Sequence, residues 1–422
     1  MKLNYKRTIL IGFAFLSISA FWQMYDNIIP LILKHTFHLG ETITGVIMAV
    51  DNVLALFLLP IFGALSDRVH TRMGKRIPFI TGGTILAVVF MMMLPIADNS
   101  RNFLMFIVVL AIVLVSMGLY RSPAVALMPD LTPKPLLSRG NAVINLMGAV
   151  GGIYALIMIK LLAGSANTPD YTALFLSIGL LMLISAAIVL VSIRENKLRD
   201  QLQKERDIEE DAASTTQKMP AEVRRSLFCI LISIFLWFTA YNAVTTAFSR
   251  YATEVWKLEG GGYADCLMVA TAAAIISYIP IGIITTKFGR KRMILGGLVL
   301  MGACYLFAGF FGNYNLIINV GFALIGIAWA AINVNSLPIV IAISNYGNVG
   351  KYTGYYYAFS MSAQIITPVF SGFFLEYVSY RTLFPYAFVF TALAFITMTQ
   401  VRHGDSRPEK KKDMLENYDV ED

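Results

Sequence analysis

The sequence predicts an all-α membrane protein: twelve transmembrane helices in two pseudo-symmetric six-helix bundles, with both termini cytoplasmic. Three observations lead there. Of 422 residues, 57% are hydrophobic and only 14% charged, whereas a soluble domain carries roughly a quarter charged. Apolar runs of membrane length recur along the chain, and helices suit lipid because they satisfy their own backbone hydrogen bonds. The basic residues collect in alternate loops.

The apolar runs lie near 9–33, 42–65, 78–96, 103–127, 140–163, 172–193, 226–250, 262–286, 293–311, 315–343, 352–375 and 382–401. The first is too long for a removable signal peptide and has no small-residue cleavage pattern, so it is expected to remain as a helix. With Met1 placed inside, the opposite side holds only Lys34, Arg101, Arg250, Lys257 and Arg381 of the 34 Lys and Arg; Arg121 and Lys160 fall within spans, and the rest lie in loops on the side of the termini. That bias sets the orientation. It also accounts for the net charge of +8 without nucleic acid as a partner. Lys160, near the outer end of span five, is expected to snorkel to the headgroups.

The domains follow from the one long hydrophilic interruption. Residues 1–193 form an N-terminal bundle, 194–225 a charged cytoplasmic linker, 226–401 a C-terminal bundle and 402–422 a cytoplasmic tail. The linker carries Glu195, Arg199, Lys204, Glu205, Arg206, Glu209, Glu210 and Asp211, a pattern of a solvated tether with no site of its own. Nothing suggests an oligomer, and a monomer in the cell membrane is expected.

The two halves echo each other. Trp22-Gln23-Met24-Tyr25-Asp26-Asn27 in span one resembles Trp237-Phe238-Thr239-Ala240-Tyr241-Asn242 in span seven. Pro60 and Asp67 are matched 220 residues later by Pro280 and Lys287, and Pro123 is matched by Pro338. Basic turns follow in both halves, Gly74-Lys75-Arg76 and Gly289-Arg290-Lys291-Arg292. Weak internal symmetry between halves is a property of rocking-bundle carriers.

Gly63-Ala64-Leu65-Ser66-Asp67-Arg68, followed by Gly74-Lys75-Arg76-Ile77-Pro78-Phe79-Ile80, resembles the signature loop of the major facilitator superfamily. Its longer spacer is similar to the sucrose-transporter-like branch of the glycoside-pentoside-hexuronide:cation symporters. Pro123-Ala124-Val125-Ala126-Leu127-Met128-Pro129-Asp130-Leu131, then Arg139-Gly140-Asn141-Ala142 with Gly148, Gly151 and Gly152, is similar to spans four and five of the same branch. The resemblance implies proton- or cation-coupled sugar uptake by alternating access. Two departures bear on it. Plant sucrose carriers have an acid in span four before the matched proline, whereas Ile112 to Gly118 contains no carboxylate here, so coupling by that position is excluded. The second half also puts Lys287 where the first has Asp67.

Ionisable groups at membrane depth cost roughly 2.5–3.5 kcal/mol on insertion scales and are functional candidates by default. Asp26, Asp51 and Arg121 are the candidates for cation coupling. A carboxylate there takes a proton or ligates Na⁺ alongside Asn27 or Asn52; the competing role is a structural hydrogen bond, above all for Asp26. Arg121 neutralises an acid, donates to a sugar hydroxyl, or forms a purely structural ion pair. Sugar recognition wants a flat aromatic face beside hydroxyl-matching donors and acceptors. The candidates are Trp22, Gln23, Tyr25, Asn27 and Asn145 in the first half, and Trp237, Tyr241, Asn242, Asn333, Asn335, Tyr356 and Gln364 in the second. Each also suits ordinary helix packing.

Asp67, Arg68, Arg72, Gly74, Lys75 and Arg76 are expected to form a cytoplasmic gate, with the Asp67 charge facing the positive N-terminus of the span near Tyr352. Asp130 with Arg139 is expected to make a similar clasp. No metal site, cofactor or enzyme chemistry is expected. Cys229, Cys266 and Cys304 fit neither a metal nor a disulfide framework, the four His fall in loops or tails, and there is no nucleotide-binding loop. The favoured reading is a cation-coupled sugar symporter working on a small-molecule substrate with H⁺ or Na⁺. The alternatives are a proton-coupled exporter of an amphipathic metabolite and a non-transporting membrane sensor.

Overall fold

Among the described residues twelve long helices follow in the order the apolar runs predict. The computed structural model describes residues 4–69, 71–132, 137–163, 170–196, 220–258, 261–342 and 349–404. The helices are α1 (Tyr5–His35), α2 (Glu41–Arg68), α3 (Ile77–Asn99, with a local break at Met92), α4 (Phe103–Asp130), α5 (Leu137–Leu162) and α6 (Thr172–Ser192). The second set is α7 (Ala221–Glu254), α8 (Tyr263–Phe288), α9 (Arg290–Ala308), α10 (Ile317–Ala342), α11 (Val349–Tyr377) and α12 (Leu383–Thr399). Eleven are long and apolar enough to cross a membrane. α8 is the exception by composition, its apolar stretch running from Tyr263 to Tyr278, but its 26 residues reach about 39 Å at 1.5 Å per residue, enough to span.

The exterior is greasy. Leu104 is 74% exposed, Val191 81% and Phe310 79%. A belt of this kind would be an aggregation hazard in water and is what a hydrocarbon solvent requires. Proline interrupts α1, α8, α10 and α11 at Pro30, Pro280, Pro338 and Pro368, tolerable where neighbouring helices re-satisfy freed backbone groups.

The internal repeat becomes a repeat of packing. α1 lies against α5 as α7 lies against α11; α2–α4 corresponds to α8–α10, α3–α4 to α9–α10, α3–α6 to α9–α12, and α1–α6 to α7–α12. The halves meet through α2 with α11 and through α8 with α5, which are the same contact under a six-helix shift. At the α2–α11 crossing the backbones nearly touch. A Cβ built on Gly45 would fall 2.1 Å from the Pro368 carbonyl oxygen, and one on Gly372 2.5 Å from that of Glu41. Small residues permit such approach. Gly45→Ala is therefore expected to destabilise this packing by about 1–3 kcal/mol, read as a lower thermal midpoint; an unchanged midpoint would show that the two backbones do not meet there.

Three charged residues behave differently from their sequence reading. Lys160 does not snorkel: its Nζ lies 2.6 Å from Asp265 of α8 and so joins the two bundles. Arg250 is not a loop residue; it is buried in the last turns of α7. Glu195 is not part of a solvated tether, being only 1% exposed. The reason is common to all three. In an apolar protein a charge close to a partner charge or an unpaired backbone N–H is drawn to it. Residues 197–219 of the linker and 405–422 of the tail lie outside the described residues.

Candidate functional site

The first-half wall of the site is polar and unpaired. α1 contributes Trp22, Gln23 and Asp26, α2 contributes Asp51 and Asn52, and α4 contributes Arg121, all half-buried. Asp26, Asp51 and Arg121 lie within electrostatic reach of one another and are surrounded by protein. Among the described residues none of the three forms an ion pair within 4.0 Å; the close contact of Asp51 is instead with the side-chain amide of Asn52, 2.8 Å away. Arg121 rests on the Trp22 ring, 5.5 Å from guanidinium carbon to ring centroid, a cation–π arrangement. Trp22 in turn meets Tyr25 edge-on at 5.3 Å. The Trp22 Nε1, Tyr25 hydroxyl and Asn27 Oδ1 atoms are buried with no partner among the described residues. Nearly all such atoms in proteins are satisfied, so a cluster of exceptions beside three unpaired charges marks a place prepared for something else.

The second-half wall is aromatic. Tyr241 of α7 stacks flat on Trp329 of α10, with centroids 3.7 Å apart and planes 5° from parallel. Phe238 meets the same indole edge-on at 5.4 Å. A cavity of about 90 Å³ lies against this stack and is lined also by Tyr278, Thr271 and Ala149. Ala149 is on α5, so the cavity is shared between the bundles. Thr271 is the residue that stands 220 positions after Asp51: the pseudo-equivalent positions face the interior from both sides, one charged and one neutral. Tyr357 of α11 is within electrostatic reach of Arg121 and ties the two walls.

The remaining candidates separate by placement. Asn242 is half-buried beside Tyr241 with an unpartnered amide nitrogen, and Asn333 hydrogen-bonds Tyr278 at the cavity wall. Gln23 lies on the accessible face of α1, and its carbonyl accepts from the Asn27 amide at 2.8 Å. Asn145 is exposed one turn before Ala149. Others are used in packing. Trp237 is wholly buried; Asn335 donates to Thr285 at 3.1 Å and to the Ala331 carbonyl; Tyr356 shares a hydrogen bond with Ser336 at 3.2 Å; Gln364 turns back to the Ser360 carbonyl. Trp329 and Tyr278 escaped the sequence reading because neither has a counterpart in the repeat.

At the face opposite the termini a network locks the bundles together. Arg250 Nε of α7 lies 2.6 Å from Glu41 Oε2 of α2, both almost fully buried. Lys34 of α1 reaches Glu254 of α7 at 2.8 Å and Glu41 at 3.5 Å, and donates to the Tyr380 hydroxyl at 2.5 Å. Tyr380 donates to Glu41, and the Thr42 amide donates to Glu376 of α11 at 2.7 Å. Together with Lys160–Asp265, all the cross-bundle ion pairs among the described residues sit at this face.

At the terminus-bearing face the ion pairs found among the described residues lie within the first bundle. Arg76 reaches Asp67 at 2.6 Å and Asp130 at 3.0 Å, and Lys75 reaches the same two carboxylates at 3.0 and 3.3 Å. Arg76 also donates to the Ser66 hydroxyl and the Gly63 carbonyl. Asp67 thus faces two cations of its own half rather than the start of α11, because charge-assisted hydrogen bonds at this range outweigh a helix dipole. Asp130 likewise pairs with Arg76 and Lys75; the Arg139 side chain lies outside the described residues. Arg68 and Arg72 are exposed.

Sequence reading missed the centre of this cluster, Glu195. Its carboxylate accepts from the amides of Lys75, Arg76 and Ile77 at 3.0, 2.9 and 3.2 Å, capping α3 from the end of α6. Gly74, at φ +122°, lets the turn pass within contact of that side chain. Glu195→Ala leaves three buried N–H groups unsatisfied and is expected to lower stability by about 1–3 kcal/mol, with Glu195→Gln between it and wild type in thermal midpoint.

The sequence matches the family described as Major Facilitator Superfamily over residues 11–276 and 256–417. No curated protein matches the chain. Among solved structures, a bacterial homologue of the human lysosomal transporter Spinster, inward-facing and unoccupied, is similar with a TM-score of 0.71 at 12% identity, covering 97% of this chain and 100% of that one. A bacterial homologue of the iron transporter ferroportin, inward-facing, gives 0.68 at 15%, covering 95% and 99%. The POT family transporter PepTSo gives 0.67 at 11%, covering 94% and 97%. At these identities the likeness is one of fold.

Proposed function

Because the chain belongs to the major facilitator superfamily, we propose that it is a transporter that takes up a sugar with H⁺ or Na⁺ by alternating access, in a cell membrane with both termini cytoplasmic. The observation that carries this reading is the pairing of Asp26, Asp51 and Arg121, which form no ion pair among the described residues, in the first half with the Tyr241–Trp329 stack beside a cavity in the second. A pyranose has an apolar C–H face to lay on an aromatic ring and hydroxyl edges for Asn242, Asn333, Gln23 or Arg121. The acids supply the cation site, since a carboxylate in an enclosed polar hollow answers to a proton or a hard cation. The lock at the face opposite the termini, with the ion pairs of the other face lying within the first bundle, supports a state closed to the outside and ready to exchange with the cytoplasm.

Uptake of labelled sugars into proteoliposomes, with and without a proton or Na⁺ gradient, tests the proposal. Gradient-dependent accumulation supports it, and no flux of any sugar under either gradient defeats it. The apolar share of the smaller cavity, with Ala270, Ala274, Ile275 and Ile325 beside the aromatics, favours the second reading, a proton-coupled exporter of an amphipathic metabolite. Extrusion of such a compound by an inward-acid gradient would establish that reading instead.

A further inference from the structure

We propose that a pocket at the terminus-bearing face, between the α2–α3 turn and the end of α6, holds the phosphate of an anionic phospholipid headgroup. The pocket measures about 370 Å³ and is lined by Arg72, Met73, Leu190, Ile193, Arg194 and Asn196, with the backbone of Glu195 between the last two. Arg72 and Arg194 are both exposed, and neither guanidinium has an ion pair or hydrogen bond among the described residues. The acid beside them is already engaged, because Glu195 spends both its oxygens on the three amides that open α3.

The walls are pre-formed. Thr71 and Gly74 close the turn through a backbone bridge and the Thr71 hydroxyl, which donates to the Gly74 carbonyl at 2.6 Å. Asn196 then clamps the turn to α6 by donating to the Thr71 and Arg72 carbonyls at 2.9 and 3.3 Å. Two arginines lining one cavity suit a phosphate, which guanidinium forks bind bidentately. The floor is apolar, Leu190 and Ile193, and beside it Val191 is 81% exposed on the lipid-facing surface. A soluble anion has no use for that floor; a phosphodiester with acyl chains attached does. Charge complementarity adds to this, because the loop bias places this face on the cytoplasmic leaflet, where anionic lipids attract basic pockets between helices. Glu195 and Asn196 connect the pocket to the cluster of Asp67, Lys75, Arg76 and Asp130, so an occupied pocket braces the turn that carries the gate residues.

The test uses the full-length protein purified in detergent, supplied with phosphatidylglycerol or phosphatidylcholine, with retained lipid read by native mass spectrometry. Wild type is expected to retain phosphatidylglycerol in preference to phosphatidylcholine. The double variant Arg72→Gln/Arg194→Gln is expected to bind it roughly thirtyfold more weakly, at the usual contribution of each basic residue near an anionic surface. Arg72→Lys/Arg194→Lys, which keeps both charges but loses the planar forks, is expected to bind between wild type and the double glutamine variant. Size-exclusion profile and thermal midpoint establish that the variants are folded, and Arg194→Gln alone serves should the double variant fail that check. Equal retention of the two lipids, equal retention by wild type and the double glutamine variant, or no retained phosphatidylglycerol at all overturns the proposal. Displacement of the lipid by an equal concentration of inorganic phosphate assigns a free-anion site and overturns it as well.

Discussion

Asp51→Asn is expected to abolish cation-driven accumulation while leaving the protein folded. The substitution keeps the shape of the side chain and removes its charge. If Asp51 is where the driving cation is held, uphill uptake loses the coupling free energy, about 1–3 kcal/mol or roughly 5–150-fold in accumulation, and downhill exchange of the same substrate persists. The fold tolerates the change because two terms offset. Removing a charge from membrane depth returns as much as roughly 2.5–3.5 kcal/mol, and the contact with the Asn52 amide at 2.8 Å loses its charge-assisted strength, about 1.5–3 kcal/mol. A structural role predicts the reverse pattern. Breaking a buried ion pair costs about 3–5 kcal/mol, which a thermal midpoint would show as a large drop. Among the described residues Asp51 has no ion-pair partner within 4.0 Å. A variant that accumulates substrate as wild type does, or that unfolds early, would remove Asp51 from the coupling role.

The bundle architecture was legible because membrane helices leave coarse marks. Apolar runs give the spans, and the Trp22–Asn27 and Trp237–Asn242 motifs mark helices that turn out to have equivalent packing partners. Asp51 and Arg121 stand out in the sequence for a related reason: an ionisable side chain at mid-depth is costly, and in the structure neither has an ion pair within 4.0 Å among the described residues. The aromatic wall was only half legible. Tyr241 stood out through the repeat, but its stacking partner Trp329 carries no local signal that separates it from the many aromatics of membrane helices. Trp237, chosen by the same repeat logic, proved to be core, since the motif's symmetry is one of sequence register and the two halves pack different faces. Least legible were contacts between segments far apart in the chain. Lys34, Glu41, Arg250, Glu254 and Tyr380 each look like an ordinary helix-end residue, and only the folded bundles bring them within hydrogen-bonding distance. Glu195 was concealed differently, at the edge of a charged linker whose composition suggests solvent.

That hidden network sets the second large effect. Glu41→Gln breaks a pair whose partners are 3% and 2% exposed, and leaving the buried Arg250 charge without its carboxylate costs about 3–5 kcal/mol; Arg250→Gln acts in the same direction but more weakly, because Glu41 keeps Lys34 at 3.5 Å and the Tyr380 hydroxyl. The cost falls on one conformation. Glu41 is on α2 and Arg250 on α7, so the pair exists only while the bundles are closed at the face opposite the termini, and the penalty disappears when they part. The equilibrium should therefore move toward the state open at that face by roughly 10²–10³-fold. Spin labels on His38→Cys and Val378→Cys, exposed positions in opposite halves near this face, report the separation once Cys229, Cys266 and Cys304 are replaced by Ser. Each single variant should shift the label distance to longer values and slow net uptake, because a carrier held in one state completes few cycles. The exchange Glu41→Arg/Arg250→Glu restores opposite charges and should recover a large part of the short-distance population. If each single variant keeps the wild-type distance distribution, the lock contributes nothing to closure, and the α2–α11 backbone contact at Gly45 and Gly372 must hold that face shut by itself.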